Sequence, residues 1–206
     1  MIGIYGGTFD PVHFGHLRTA LEIREIFGLT EIRLVPSARP PHRGQPAASA
    51  ALRVQMLQAA VERHPGFVID TRELERSGPS YMVDTLAAIR MEAGADVPLL
   101  LCIGSDAFLQ LHTWHRWRQM FHYAHIVVIT RPGWRQEALP PFCRDKLADA
   151  AAALQSMPCG RLLFQQVTQL EISATRIREI IAEGRDASFL LPDAVLAIMA
   201  THRLYT

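Results

Sequence analysis

Short apolar runs alternate along the chain with stretches whose apolar residues recur at helical spacing. Ile2–Tyr5 is the first run. Over His16–Phe27, Leu17, Ala20 and Leu21 stand at i, i+3 and i+4, and Ile23, Ile26 and Phe27 extend that face, which predicts a helix. Ile32–Val35 predicts a second strand. Pro36–Ala51, rich in Pro, Gly, Ala and Ser, reads as a long loop, with helical residues following to about His64. Phe67–Asp70 predicts a third strand. Met82, Leu86, Ile89 and Ala93 sit at i, i+4, i+7 and i+11, again a helix period. Leu99–Ile103 and Ile126–Ile129 are short and apolar throughout, as strands buried on both faces are. Leu162–Val167 predicts a sixth strand. Helices over about Ala174–Glu183 and Asp193–Thr201 close the chain, the second opened by Pro192, a residue suited to a first helical turn.

Strands and helices in alternation predict an α/β fold: an open, Rossmann-like parallel sheet with helices on both faces. No domain boundary is visible before about residue 170, so residues 1–206 read as one domain whose last part, from about 170, is a helical extension. Ligands of such sheets bind beyond the carboxyl ends of the strands. Three unusual segments fall there: Gly6–His16, Gly104–Trp117 and Arg131–Trp134.

Composition narrows the function. Among 206 residues, 21 Lys+Arg face 20 Asp+Glu, so there is no basic excess to grip a nucleic-acid backbone. No apolar run approaches the roughly 20 residues of a membrane span, and no basic segment opens a secretory signal. Cys102, Cys143 and Cys159 are odd in number and lack C-x-x-C spacing, which points to a reducing compartment rather than disulfides or a zinc site. A cytoplasmic enzyme is expected. Oligomeric state is not legible.

The segment Gly6-Gly7-Thr8-Phe9-Asp10-Pro11-Val12-His13-Phe14-Gly15-His16 carries the first candidate chemistry. It is neither the G-x-G-x-x-G of a dinucleotide fold nor a P-loop. Adjacent glycines let a backbone approach a ligand. His13 and His16, three apart at a helix start, share a face, and the helix end favours an anion. A zinc site is disfavoured, because only Asp10 stands nearby as a further ligand. The second segment is Ile172-Ser173-Ala174-Thr175-Arg176-Ile177-Arg178. Ser173 suits an N-cap. Arg176 and Arg178 place cations where a helix disfavours them unless a polyanion binds; the plain alternative is a solvated surface pair.

These strings resemble the nucleotidylyltransferases that carry His-x-Gly-His, here His13-Phe14-Gly15-His16, and an Ile-Ser-x-Thr-x-x-Arg motif, here Ile172 to Arg178. Many members have a second Ser where this chain has Ala174. Val35–Arg43, Pro79–Leu86, Gly104-Ser105-Asp106, Thr113-Trp114 and Arg131-Pro132-Gly133 extend the likeness, in one order, to the bacterial nicotinate-nucleotide adenylyltransferases. The resemblance implies AMP transfer from ATP, carried with substrate-bound Mg²⁺, to nicotinate mononucleotide, with no protein metal site. His13, His16 and Arg178 are then catalytic. Gly6, Gly7, Thr8, Phe9, Gly104, Asp106, Ile172, Ser173 and Thr175 join them around ATP. Tyr81, Met82, Thr85, Trp114, Arg131 and Arg43 hold the mononucleotide. Many relatives have Thr in place of Met82, so backbone recognition is expected there. The rival readings are another acceptor, such as nicotinamide mononucleotide or phosphopantetheine, and a nucleotide-sensing module without turnover.

Overall fold

Six strands alternate with helices in a computed structural model that describes residues 1–38, 45–131, 133, 139–168 and 170–206. In chain order these are β1 (Ile2–Gly7), α1 (Phe14–Phe27), β2 (Glu31–Pro36), α2 (Ala50–Val61), β3 (Phe67–Ile69), α3 (Arg72–Glu75), α4 (Met82–Ala93), β4 (Leu99–Gly104) and α5 (Ser105–Leu109). Two 3₁₀ turns follow, Leu111–Thr113 and Trp117–His122. Then come β5 (His125–Thr130), α6 (Pro141–Arg144), α7 (Ala152–Gln155), β6 (Leu162–Gln166), α8 (Ala174–Ala182) and α9 (Asp193–Thr201). The sheet order is β3-β2-β1-β4-β5-β6, with every pair parallel. The order reverses between β1 and β4, and a crevice opens at the carboxyl ends of strands at such a switch point.

The six apolar runs are the six strands, with ends shifted by no more than two residues. Alternation along each strand divides the core. Leu100, Cys102, Val127 and Ile129 join Ile23, Phe27, Leu57, Ile177, Val195 and Met199 on one face. Leu99, Leu101, Ile103, Ile126 and Val128 join Val83, Leu86, Ile89 and Phe121 on the other. Helices therefore cover both faces, and α9 packs into the first of these cores rather than standing apart from it. No helix among the described residues is long and apolar enough to cross a membrane.

The departures are local. α3, α5, α6, α7 and the two 3₁₀ turns are each six residues or fewer, too short for a periodic apolar face to appear in the sequence. Pro192 stands at the N-cap of α9 rather than inside its first turn. α1 begins at Phe14, two residues earlier than its apolar period predicts, which makes His13 its N-cap in extended backbone (φ −148°, ψ 170°). Gly28 ends α1 in the left-handed region (φ 58°) and donates its N–H to the carbonyls of Arg24 and Glu25, a stop that glycine adopts without strain.

Candidate active site

β1 ends in Gly6-Gly7 at the switch point, and both glycines are closely approached by neighbouring side chains. A Cβ on Gly6 would lie 2.8 Å from Met82 Cε, and one on Gly7 would lie 3.0 Å from the Phe9 ring. The chain then turns through Phe9 in left-handed backbone (φ 49°) and a cis Asp10–Pro11 bond before entering α1.

The two imidazoles meet as their spacing predicts. Their ring centroids are 3.8 Å apart, tilted by 33°, with Phe9 edge-on to His16 at 5.0 Å. Gly15 explains the glycine between them. A Cβ there would lie 3.0 Å from His13 Nδ1 and 3.3 Å from the Ile172 carbonyl oxygen. The same glycine thus lets the histidine pair and the Ile172 segment close on each other. Two of the amides at the start of α1 are already committed: Phe14 N–H donates to the Leu190 carbonyl at 3.1 Å, and His16 N–H to the His13 carbonyl at 2.9 Å.

His13 is 4% exposed, and its Nδ1 has no hydrogen-bond partner among the described residues. Burial pushes its pKa down to about 4. The ring is therefore neutral at pH 7, and an arriving anion is what would favour its charged form. His125, fully buried, is also held low by burial; its Nε2 lies 2.9 Å from the Met157 carbonyl and its Nδ1 accepts from Arg161 N–H at 3.1 Å. Both groups bind protons less readily folded than unfolded, so their stabilisation is present above the ordinary histidine pKa near 6.5 and is lost as pH falls toward 4. Urea unfolding at pH 7.5 and pH 4.5 is expected to show this fall. His13 alone accounts for about 3 kcal/mol at completion, and His13→Asn is expected to flatten the slope.

α8 begins as expected. Ser173 is its N-cap and accepts from Arg176 N–H at 3.1 Å. The two arginines separate in role. Arg176 is exposed and pairs with Glu179 (3.1 Å) and Glu183 (3.8 Å) on its own helix. Arg178 turns inward, donating to the Asp10 carbonyl at 2.7 Å and to Thr175 Oγ1 at 3.3 Å. Across the switch point, Gly104 is the N-cap of α5 and Asp106 is exposed in its first turn. Nothing lies within 4 Å of a Cβ placed on Gly104, so packing does not require glycine there.

The second cluster forms around the start of α4. Tyr81 is its N-cap, and the Tyr81 carbonyl accepts from Asp84 and Thr85 N–H, so the Met82 and Val83 amides have no acceptor within the helix. Tyr81 stacks on His115 at 4.3 Å, and Arg116 pairs with Asp84, which ties the Trp114–Arg116 segment to the head of α4. Trp114 is half-buried and, like Tyr81 and Met82, packs against the second core. Trp117 is core, with Phe142 edge-on to it at 5.1 Å and the Arg118 guanidinium over its ring at 4.6 Å. Thr85 lies behind this cluster rather than in it: it is fully buried, its hydroxyl donating to Glu73 at 2.8 Å and accepting from Arg76 at 3.1 Å. Arg131 is exposed at the end of β5. Arg43 lies outside the described residues.

Three contributors, one of them inside the first motif, are given no binding role by the sequence. Asp10 is 4% exposed and accepts from Ala47 N–H (2.8 Å), Ala48 N–H (3.1 Å) and the Tyr205 hydroxyl (2.7 Å). Arg53, 1% exposed, donates to the Thr8 carbonyl at 2.7 Å. A signal for Arg53 exists: it heads the apolar stripe Met56, Leu57, Ala60, Val61 of α2, where a cation is out of place. Tyr205 carries none, since it meets Asp10 across 195 positions.

The family model described as cytidylyltransferase-like matches residues 4–180. A Methylococcus capsulatus protein named "Probable nicotinate-nucleotide adenylyltransferase" is 51% identical, covering 100% of this chain and 99% of its own. A Pseudomonas putida protein of the same name is 48% identical, covering 99% and 94%. Among solved structures, Plasmodium falciparum nicotinic acid mononucleotide adenylyltransferase complexed with NaAD superposes with a TM-score of 0.73 over 99% of this chain and 96% of its own. At 17% identity that likeness carries the fold alone.

Proposed function

Because the chain belongs to the nicotinate-nucleotide adenylyltransferase family, we propose that it transfers AMP from ATP to nicotinate mononucleotide, releasing nicotinate adenine dinucleotide and pyrophosphate in NAD biosynthesis. The observation that carries this reading is the closure of the His13–His16 pair, across Gly15, onto the Ile172 carbonyl that leads into α8. Two imidazoles and the Arg178 guanidinium gather at the mouth of a switch-point crevice, and Asp10, the carboxylate beside them, is already satisfied by three donors. That is a site for a polyanion.

The triphosphate lies across His13, His16, Arg178 and the start of α8, with Ser173 and Thr175 at its edge. Gly6, Gly7, Thr8 and Phe9 let the nucleotide approach the backbone, and Gly104 and Asp106 face the adenosine. A 5′-phosphate oxygen of the mononucleotide attacks the α-phosphorus, the bond to the bridging oxygen breaks, and pyrophosphate leaves in line. The attacking phosphate is already anionic at neutral pH, because its second pKa is near 6. No general base or covalent protein nucleophile is required; positioning and charge neutralisation lower the barrier. Mg²⁺ carried on the ATP phosphates would supply further neutralisation there. Asp10 fits this arrangement, since its carboxylate is committed to protein donors and leaves the cation to the substrate's own oxygens. The three cysteines stand as free thiols, which supports a cytoplasmic setting.

Trp114 stacks on the pyridinium ring, and the Met82 and Val83 amides receive its carboxylate at the positive end of α4. Thr85 supports this wall from behind, through Arg76. Arg131 borders the same pocket. A carboxamide would present an NH₂ donor where the carboxylate presents an acceptor. Nicotinate mononucleotide is therefore expected to exceed nicotinamide mononucleotide by roughly 10–150-fold in kcat/KM, the worth of one charged hydrogen bond. Pyrophosphate release with each mononucleotide at saturating Mg–ATP measures it. Trp114→Ala is expected to damage both substrates alike. Equal use of both mononucleotides would remove the assigned acceptor.

A further inference from the structure

The loop that carries Arg178's anchor is itself held from the far end of the sequence. We propose that Tyr205, on the segment after α9, is a positioning residue for ATP: its hydroxyl fixes Asp10, and the Asp10 carbonyl fixes Arg178. The inference rests on the assignment of Arg178 to the triphosphate.

Each link is a short hydrogen bond. Tyr205 Oη donates to Asp10 Oδ1 at 2.7 Å, and Arg178 donates to the Asp10 carbonyl oxygen, also at 2.7 Å. The other two donors to the Asp10 carboxylate, Ala47 and Ala48 N–H, come from the segment entering α2, so the tyrosine is the third leg of the clamp. Asp10 has little freedom elsewhere. Phe9 before it is 2% exposed in left-handed backbone, and Arg53 holds the Thr8 carbonyl. Arg53 and Arg178 are the cations close enough to act on the Tyr205 phenol, while burial beside Asp10 keeps the phenol protonated and therefore a donor. Tyr205 takes φ 66° and Arg203 φ 48°, a region that residues with a Cβ rarely adopt. The segment accepts that backbone while the phenol reaches Asp10.

The acceptor cluster hangs on other supports: the Tyr81–His115 stack and the Arg116–Asp84 pair. Loosening Asp10 should therefore be felt by ATP and not by the mononucleotide. Tyr205→Phe deletes only the hydroxyl. It is expected to weaken ATP about tenfold, in KM and in calorimetric Kd, while KM for nicotinate mononucleotide stays within about twofold. In an Asp10→Asn background, which already weakens the clamp, adding Tyr205→Phe is expected to change ATP affinity by less than about twofold. Calorimetry needs no turnover, so an inactive wild-type protein would count against the proposed reaction and leave the Tyr205 result readable. A lowered melting temperature with ATP affinity unchanged would overturn the proposal. So would equal losses for both substrates, or a Tyr205→Phe effect that adds in full to Asp10→Asn.

Discussion

His16→Ala is expected to lower kcat by roughly 10²–10³ while leaving the fold intact, the cost of removing a donor that acts as charge develops in the transition state. The expectation comes from the paired rings. His16 stands 3.8 Å from His13, whose pKa burial holds near 4, so the empty site does not carry two positive imidazoles at pH 7. Charge becomes favourable there when phosphate oxygens arrive, and most favourable as negative charge builds on the departing pyrophosphate. Positive charge that grows with the reaction is worth more in kcat than in binding. His13→Ala should lower kcat similarly and weaken ATP more, since its ring is the more deeply buried of the two. Steady-state kinetics with circular dichroism on both variants reads the effect. Wild-type turnover in a folded His16→Ala protein would remove the histidine from the mechanism.

Arg178→Ala is expected to weaken ATP by roughly 10–150-fold and nicotinate mononucleotide far less. Arg178 is the inward-facing arginine of the α8 start, whereas Arg176 is neutralised on the helix surface by Glu179 and Glu183. Arg176→Ala is accordingly the control, expected within about twofold of wild type because exposed pairs contribute little. Separate titrations of the two substrates decide the matter. Equal losses would place Arg178 outside the triphosphate site.

The comparison of the two arginines shows where the sequence is informative. Motif spacing identifies Ser173 as a cap and puts both arginines in one turn and a half, yet cannot say which turns inward; that depends on the Asp10 carbonyl, 168 positions away. His13, Gly15 and His16 are legible because their interaction is local, within one helical turn. The six strands are legible because each is short and dominated by apolar residues; β4 and β5 have unbroken apolar centres, while β2 carries Arg33 and β6 ends in Gln165-Gln166. Thr85 sits inside a motif at the head of α4, but one turn into the helix its hydroxyl faces Glu73 and Arg76, partners that its place in the motif does not indicate. Asp10 stands in the sequence only as an insufficient further metal ligand, and its three donors come from elements that no local pattern connects. Arg53 is the exception among the long-range contributors, since a buried cation on an apolar stripe announces itself.

Attack at the α-phosphorus is the claim on which the roles of His13, His16 and Arg178 depend. The direct measurement is incubation of the protein with nicotinate mononucleotide and Mg–ATP labelled at the α-phosphorus, followed by separation of products. The label is expected in nicotinate adenine dinucleotide, with an equal amount of unlabelled pyrophosphate and none without the mononucleotide. Label appearing in free AMP or ADP, with no dinucleotide formed, would contradict the account.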